Sequence, residues 1–155
     1  MTDLENDRIQ KKIVLSAPRT RVWRALSDAA EFGQWFRVHL EGAFHAGTTI
    51  IGQVTYPGYE NLRVEMQIVE LVPERYFSYR WRPNAVDPKK DYSAEPMTLV
   101  EFTLEDAPSA GATLLTITES GFSRLPAERR AEAFRNNDAG WSAQLENIGR
   151  HVSQP

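Results

Sequence analysis

The chain has 155 residues, a length typical of one domain whose core needs neither a metal nor a disulfide. A net charge of −3 and the lack of a Lys/Arg stripe argue against a nucleic acid partner. The absence of cysteine excludes disulfides and thiolate chemistry and is compatible with a reducing compartment. Because no apolar stretch reaches the length of a membrane span or resembles a signal peptide, we predict a cytoplasmic protein.

The beginning of the chain predicts one strand followed by two short helices. Residues 8–16 have the pattern of a strand whose far end is buried. Pro18 suits the first turn of a helix, where a backbone N–H is not needed. Asp28 and Glu31 have the spacing of a capping box and predict a second short helix over 29–34.

The middle of the chain consists of strand patterns with an irregular segment among them. Apolar and polar residues alternate over 47–56, 62–68, 76–82, 100–104 and 114–119. Three prolines without periodicity over 83–96 predict a long mobile loop between the third and fourth of these strands.

The end of the chain predicts a long helix that opens at Pro126. Its apolar face recurs every three or four residues and is formed by Phe134, Asp138, Trp141, Leu145, Ile148 and Val152. The alternating strands cannot cover their own apolar face, and this helix offers the matching stripe. The sequence therefore predicts an α+β domain in which an antiparallel sheet packs on the C-terminal helix.

Aromatic residues collect on one face of a single predicted strand. Phe77, Tyr79 and Trp81 share that face and would meet Trp141 of the last helix. They could line a ligand pocket or fill a solid core, and both interpretations stay open. The other candidate ligand-binding residues are Trp35, Tyr56, Met66, Phe134 and Leu145.

Two acidic residues are predicted to point inward. Simple alternation places Glu119 on the apolar face of its strand, and helical spacing places Asp138 on the apolar face of the last helix. A buried carboxyl there is a candidate general acid or base, or a partner for a ligand hydroxyl. The alternative is an ion pair with Arg80, Arg82 or Arg124.

Other motifs that carry chemistry are absent from the sequence. His39, His45 and His151 lie in different elements without metal-binding spacing, so we predict no metal and place all three on the surface or in loops. The chain has neither a phosphate-binding glycine loop nor a hydrolase nucleophile elbow, so we predict no cofactor.

An ordered set of segments resembles the activator of heat-shock protein ATPase branch of the SRPBCC (START-like) superfamily. The opening segment is 15–28 followed by Gln34, Trp35 and Phe36, and the later ones are 69–75, 111–117, 119–122 and Gly140-Trp141. The resemblance implies a helix-grip fold over 8–152, with a curved antiparallel sheet around the C-terminal helix and a cavity between them in many members. We expect residues 1–7 and 153–155 to be flexible termini. In the family the residue at the position of Glu119 is often polar, whereas Asp138 matches no family motif.

Three functions are compatible with this sequence. The favoured one is binding of an apolar or aromatic small molecule between the sheet and the C-terminal helix, without catalysis. The second is a module that stimulates the ATPase of a heat-shock chaperone of the 90-kDa class. The third is an enzyme resembling polyketide cyclases or dehydratases, with Glu119 as acid/base and Tyr79 or Asp138 assisting. A cavity beside Trp141 and Glu119 would favour the first function, and a filled interior the second. A homodimer is a further expectation.

Overall fold

The computed structural model describes residues 7–87 and 89–153. Its elements in chain order are β1 (Arg8–Leu15), α1 (Arg19–Ser27), α2 (Ala29–Phe36), β2 (Val38–Leu40), β3 (Thr49–Val54), β4 (Arg63–Val72), β5 (Tyr76–Trp81), β6 (Thr98–Asp106), β7 (Thr113–Ser120) and α3 (Ala127–Ser153). A short 3₁₀ turn, Phe122–Arg124, connects β7 to α3.

The seven strands form one antiparallel sheet in the order β1-β7-β6-β5-β4-β3-β2. The register between β4 and β5 shifts between Ile68 and Glu70, an irregularity of the kind that bends a strand and increases the local twist. The curved sheet packs its apolar face against α2 and α3, and α3 also contacts β1 and α1. The α+β helix-grip architecture predicted from the sequence is confirmed.

Local sequence signals explain where the helices begin and end. The carboxylate of Asp28 accepts a hydrogen bond from the backbone N–H of Glu31 at 3.1 Å, so the predicted cap of α2 forms. Arg37 ends α2 in the left-handed region with φ of 70°. Gly33 allows α2 to lie directly on β2, because a β-carbon there would stand 2.2 Å from the carbonyl oxygen of Val38.

The core contains a cluster of aromatic rings that contact one another. Phe32 of α2 is fully buried and lies at its centre. The ring partners of Phe32 are Trp35, Phe36, Phe44, Phe77, Tyr79 and Phe102, at centroid distances of 4.8 to 6.3 Å. These rings therefore form one continuous cluster between α2 and the sheet.

The observed elements differ from the predictions mainly in short or terminal segments. The three-residue strand β2 and the 3₁₀ turn were not predicted, because neither is long enough to establish a periodicity. The residues described between β5 and β6 form no strand, as predicted for 83–96. Most of the predicted flexible termini lie outside the described residues. Of the remaining terminal positions, Asp7 accepts hydrogen bonds from Ser123, and Ser153 is the last residue of α3.

Candidate functional site

Glu119 is a completely buried carboxylate at the end of β7 that accepts four hydrogen bonds. Its Oε2 accepts from the indole N–H of Trp81 at 2.7 Å and from the hydroxyl of Thr98 at 2.6 Å. Its Oε1 accepts from the indole N–H of Trp141 at 2.8 Å and from the amide of Asn137 at 2.9 Å. The carboxylate thus connects β5, β6 and α3 through side chains alone.

The four donors to Glu119 are neutral, which differs from the arginine partners considered in the sequence analysis. Arg82 instead pairs with Glu65 at 3.2 Å, and a guanidinium N–H of Arg124 donates to the backbone oxygen of Met97. A buried carboxylate is tolerated when its lone pairs are satisfied by well-directed donors. The inward orientation predicted for Glu119 is correct, and its carboxylate accepts hydrogen bonds from two indole rings.

Tyr79 has a buried hydroxyl for which no hydrogen-bond partner is found among the described residues. Burial, and to a smaller extent the charge of Glu119, raise the pKa of Tyr79 well above its ordinary value. Its ring contacts those of Phe77 and Trp81 at centroid distances of 5.7 and 5.5 Å. Tyr79 is therefore a neutral core residue in this structure.

The space between the sheet and α3 beside Trp141 is filled. The ring of Trp141 is 2% exposed and lies 5.9 to 6.0 Å from those of Phe36, Trp81 and Phe102. The predicted residues Trp35, Met66, Phe77 and Leu145 are also buried in this core. Of the two interpretations of these aromatic residues, the packed rings favour the core, and the cleft described next lies elsewhere.

A cleft of about 620 Å³ opens beside this core, between β3, β4 and the segment that follows β5. Trp81 lines the cleft and is the only one of the predicted ligand-binding residues to do so in the described part of the chain. Its indole N–H binds Glu119, so the side chain belongs to the core and to the cleft wall at the same time. The other lining residues are Ile51, Val54, 61–65, Arg82, 84–87, 90–93 and Asn137.

The cleft combines apolar walls with polar groups. Ile51 is 57% exposed and Val86 46% exposed, so both present apolar surface that solvent can reach. The Nε of Arg82 is buried without a hydrogen-bond partner among residues 7–87 and 89–153. Asn137 donates its amide to Glu119 and so directs a second polar side chain to the boundary between core and cleft. Concave sites with these properties are typical of small-molecule binding.

Three predicted site residues lie away from both the cleft and Glu119. Tyr56 is half exposed beyond β3, where its ring pairs with Tyr59 at 5.9 Å. Phe134 packs on Phe122 at 5.3 Å. The inward orientation predicted for Asp138 is wrong: its side chain is 50% exposed and forms a 3.2 Å ion pair with Lys11 of β1.

His151 differs from its predicted surface position. It is largely buried near the end of α3 and contacts the Glu31 carboxylate at 2.8 Å, which Arg21 and Arg24 also bind. Within residues 7–87 and 89–153, no three His, Asp or Glu side chains form a group that could hold a metal ion.

Asn137 and Thr98 are site residues that no pattern in the sequence indicates, and Arg82 lies in a different place from the one considered for it. Asn137 lies one position from Asp138, so the helical spacing identified the right turn of α3 but the wrong residue. Thr98 precedes the predicted strand by two residues. Arg82 is compatible with an ion pair to Glu119 on sequence grounds, whereas the structure places it in the lining of the cleft.

A curved seven-stranded antiparallel sheet closed by a long C-terminal helix defines the helix-grip class of START-like (SRPBCC) proteins. The family model for activator of Hsp90 ATPase homolog 1-like protein matches residues 16–153. The chain therefore belongs to this family, and the resemblance noted in the sequence is confirmed.

Solved structures with the same fold are distant in sequence. DynU16, from the dynemicin biosynthetic locus, is 23% identical with a TM-score of 0.71; the match covers 96% of this chain and 48% of DynU16, so the chain spans about half of its length. Protein MLL2253 from Mesorhizobium loti is 23% identical with a TM-score of 0.71, and 94% of this chain and 96% of that one are covered. The Aha1 dimer from Colwellia psychrerythraea is 16% identical with a TM-score of 0.69, with coverage of 94% and 95%.

These likenesses establish the fold alone. No curated protein sequence matches the chain. No helix in the described ranges combines the length and the apolar character that crossing a bilayer requires.

Proposed function

We propose that the protein binds a planar aromatic or otherwise apolar small molecule in the cleft, with the ring of Trp81 as the contact surface. The observation that carries this proposal is the double role of Trp81, which lines the cleft while its N–H is fixed by Glu119. A ring held in one orientation loses little freedom when a ligand stacks on it, and stacking on an indole is favourable.

The cleft walls support the same class of ligand. Ile51, Val54 and Val86 provide apolar surface, while Arg82 and Asn137 provide polar groups that could orient a ring substituent. Covering about 200 Å² of apolar surface yields roughly 5 kcal/mol at about 25 cal/mol per Å². A gain of this size corresponds to a dissociation constant of about 0.2 mM. Because association costs offset part of it, we expect dissociation constants of about 0.2 to 1 mM.

The test uses a panel of planar aromatic probes, 2-naphthol, quinoline and flavone, observed by ¹H–¹⁵N NMR. The four tryptophans each give one indole N–H signal, so Trp81 reports on the cleft directly. We expect at least one probe to shift the Trp81 signal in a saturable way, with a dissociation constant below about 1 mM. If no probe does so, or if saturable shifts occur only at residues remote from the cleft, the proposal is overturned.

Two substitution pairs locate the binding surface. Trp81→Phe should lower the affinity for the probe by about tenfold. Trp23→Phe, at a partly buried indole on α1, should leave the affinity unchanged. Since Trp81→Phe also removes a donor to Glu119, Val86→Asp offers a variant without that defect. Its control is Val69→Asp, at an exposed valine of β4 that does not line the cleft. Equal affinity of Val86→Asp and Val69→Asp would contradict binding in the cleft.

For Glu119, we infer that the carboxylate holds Trp81 and Trp141 in place rather than transferring protons. Both of its oxygens are occupied by donors, and the residue is not among those that line the cleft. An acid/base group must reach the proton that it moves. The acid/base role predicted from the sequence is therefore not part of this proposal.

A second candidate function is stimulation of a chaperone ATPase, which the family to which the chain belongs supports. The filled interior beside Trp141 is the feature that we expected of an interaction module. The test adds the protein to the 90-kDa-class heat-shock chaperone of its own organism. An increased ATPase rate supports this function, and an unchanged rate at saturating protein contradicts it.

Two further properties belong to the proposal. We propose a homodimer, as described for the Colwellia psychrerythraea relative, and light scattering on the purified protein measures it. We also propose a cytoplasmic location, which the absence of cysteine supports and cell fractionation tests.

A further inference from the structure

We infer that Arg129 is the positioning residue that fixes the cleft wall, although it does not itself line the cleft. The wall in question is the segment that connects β5 to β6, described at 82–87 and 89–97, which supplies half of the described residues that line the cleft. A connection of this length without secondary structure needs tertiary contacts to hold one conformation. This inference rests on the proposed binding function and identifies a residue that the function depends on.

Arg129 lies in the first turn of α3 and directs its guanidinium at that segment. Its Nε and one terminal nitrogen bind both carboxylate oxygens of Glu95 at 2.7 to 3.1 Å. Its terminal nitrogens also donate to the backbone oxygens of Pro83 and Asn84, each at 3.0 Å. One side chain therefore connects both ends of the wall segment to a long helix.

Burial and an aromatic contact reinforce this arrangement. The side chains of Arg129 and Glu95 are 11% and 10% exposed, so their ion pair is largely shielded from solvent. The guanidinium also lies 4.8 Å from the ring centroid of Tyr92, which lines the cleft. Planar bidentate binding combined with ring stacking is a property of arginine that lysine does not reproduce.

The residues that Arg129 holds are those that shape the cleft. Asn84 and Tyr92 are lining residues, and Glu95 follows Tyr92 closely enough for its backbone N–H to donate to the Tyr92 carbonyl at 2.9 Å. The neighbouring Arg82 contributes one further contact to the segment, a hydrogen bond to the backbone oxygen of Ser93 at 3.1 Å. Loss of the Arg129 contacts should leave the core intact and loosen this wall.

The experiment compares the wild-type protein with Arg129→Lys and Glu95→Gln. The control is Arg135→Lys, the same substitution at an exposed position of α3 with no polar partner among the described residues. Backbone amide exchange, followed residue by residue, is the first measurement. We expect the amides of Lys90 and Glu95 to exchange about tenfold faster in Arg129→Lys and in Glu95→Gln, while those of β6 and β7 are unchanged.

The second measurement is the affinity for whichever of the three aromatic probes binds the wild type. We expect a loss of about tenfold in Arg129→Lys and in Glu95→Gln, and no loss in Arg135→Lys. If amide exchange rises equally in the wall and in the sheet, Arg129 acts on overall stability and the inference is overturned. Unchanged exchange in the wall overturns it as well.

The two measurements separate this inference from the proposed function. If no probe binds the wild type but the wall amides still exchange faster in Arg129→Lys, the proposed function fails and Arg129 still positions the wall. If the probe binds and Arg129→Lys retains both wild-type affinity and wild-type exchange, the function stands and the role of Arg129 is refuted.

Discussion

Trp81 and Trp141 lie with their ring centroids 5.9 Å apart and donate their indole N–H groups to opposite oxygens of one buried carboxylate. Trp81 comes from the sheet and Trp141 from the C-terminal helix. Glu119 therefore joins the two layers of the fold by hydrogen bonds, at the point where the core meets the cleft. We therefore expect the carboxylate to matter for stability and for the orientation of Trp81 in the cleft.

Glu119→Gln should lower the free energy of unfolding by about 2–4 kcal/mol. A glutamine offers one acceptor oxygen where the carboxylate offers two, and its N–H₂ group would face two donors. Either Trp81 and Thr98 or Trp141 and Asn137 would then lose their acceptor. Urea denaturation of the variant and the wild type measures the loss.

The control for this prediction is Glu105→Gln, at an exposed position of β6, which should change stability by less than about 0.5 kcal/mol. A Glu119→Gln variant more stable than the wild type would contradict the inference that Glu119 stabilises the positions of Trp81 and Trp141. It would mean that the buried charge costs more than its four donors return, and an acid/base function for Glu119 would regain support.

Tyr79→Phe should leave stability unchanged or raise it by up to about 1 kcal/mol. The Tyr79 hydroxyl is buried without a partner among the described residues, so its removal relieves an unsatisfied polar group. Tyr76→Phe is the matched control, because the Tyr76 hydroxyl donates to Glu101 at 2.5 Å. That variant should lose about 1 kcal/mol. A larger loss for Tyr79→Phe than for Tyr76→Phe would show that the Tyr79 hydroxyl does have a partner.

Periodicity in the sequence was sufficient to predict the sheet and the orientation of Glu119. On β7, Leu115, Ile117 and Glu119 alternate with half-buried residues, and the structure buries all three. Successive side chains of a regular extended strand point to opposite faces, so the pattern extends along β7, where the pairing has no irregularity. The same reasoning correctly placed the aromatic face of β5.

The stripe of α3 was less accurate because helical spacing accumulates error. A repeat of three and four residues drifts by about 20° per heptad from a straight helix. Extrapolated toward the start of α3, the stripe arrived at Phe134 and Asp138, whereas the structure buries Ala133 and directs Asn137 to Glu119. The error of one residue therefore indicated the surface residue Asp138 in place of the site residue Asn137.

The cleft could not be predicted from any local pattern. Its wall is an aperiodic segment whose position depends on Arg129, which lies 34 residues from Glu95 in the sequence. This is a tertiary contact between two segments that are distant in the sequence. Neither segment has a sequence pattern that predicts it. For this reason the sequence indicated aromatic residues and a candidate ligand class but not the position of the cleft.

Gly33→Ala should destabilise the protein by about 3 kcal/mol. A β-carbon at Gly33 would stand 2.2 Å from the backbone oxygen of Val38, so α2 would have to move away from β2. Gly140→Ala on α3 is the opposite case, since a β-carbon there meets nothing within 4 Å. It should stabilise by about 0.5–1 kcal/mol, because alanine favours a helix interior over glycine. Thermal unfolding of both variants tests the pair, and a stable Gly33→Ala would contradict the close contact of α2 with β2.

Glu31 should make the stability of the protein sensitive to acid. Burial alone would raise the pKa of Glu31, but hydrogen bonds from His151, Arg21 and Arg24 outweigh it and lower the pKa below its ordinary value of 4.5. A carboxyl whose pKa is lowered in the folded state stabilises that state above its unfolded pKa. This contribution is lost as the pH falls through the lowered, folded value.

Glu31→Gln should therefore be less stable than the wild type at pH 7, and the difference should shrink as the pH falls below about 4.5. The control is Glu146→Gln, because the Glu146 side chain is 74% exposed and its contact with Arg150 is long at 3.9 Å. Urea denaturation at several pH values measures the two differences. A stability gap for Glu31→Gln that stays constant from pH 7 to pH 3 would mean that packing, and not the charge of Glu31, connects α1 and α2 to the end of α3.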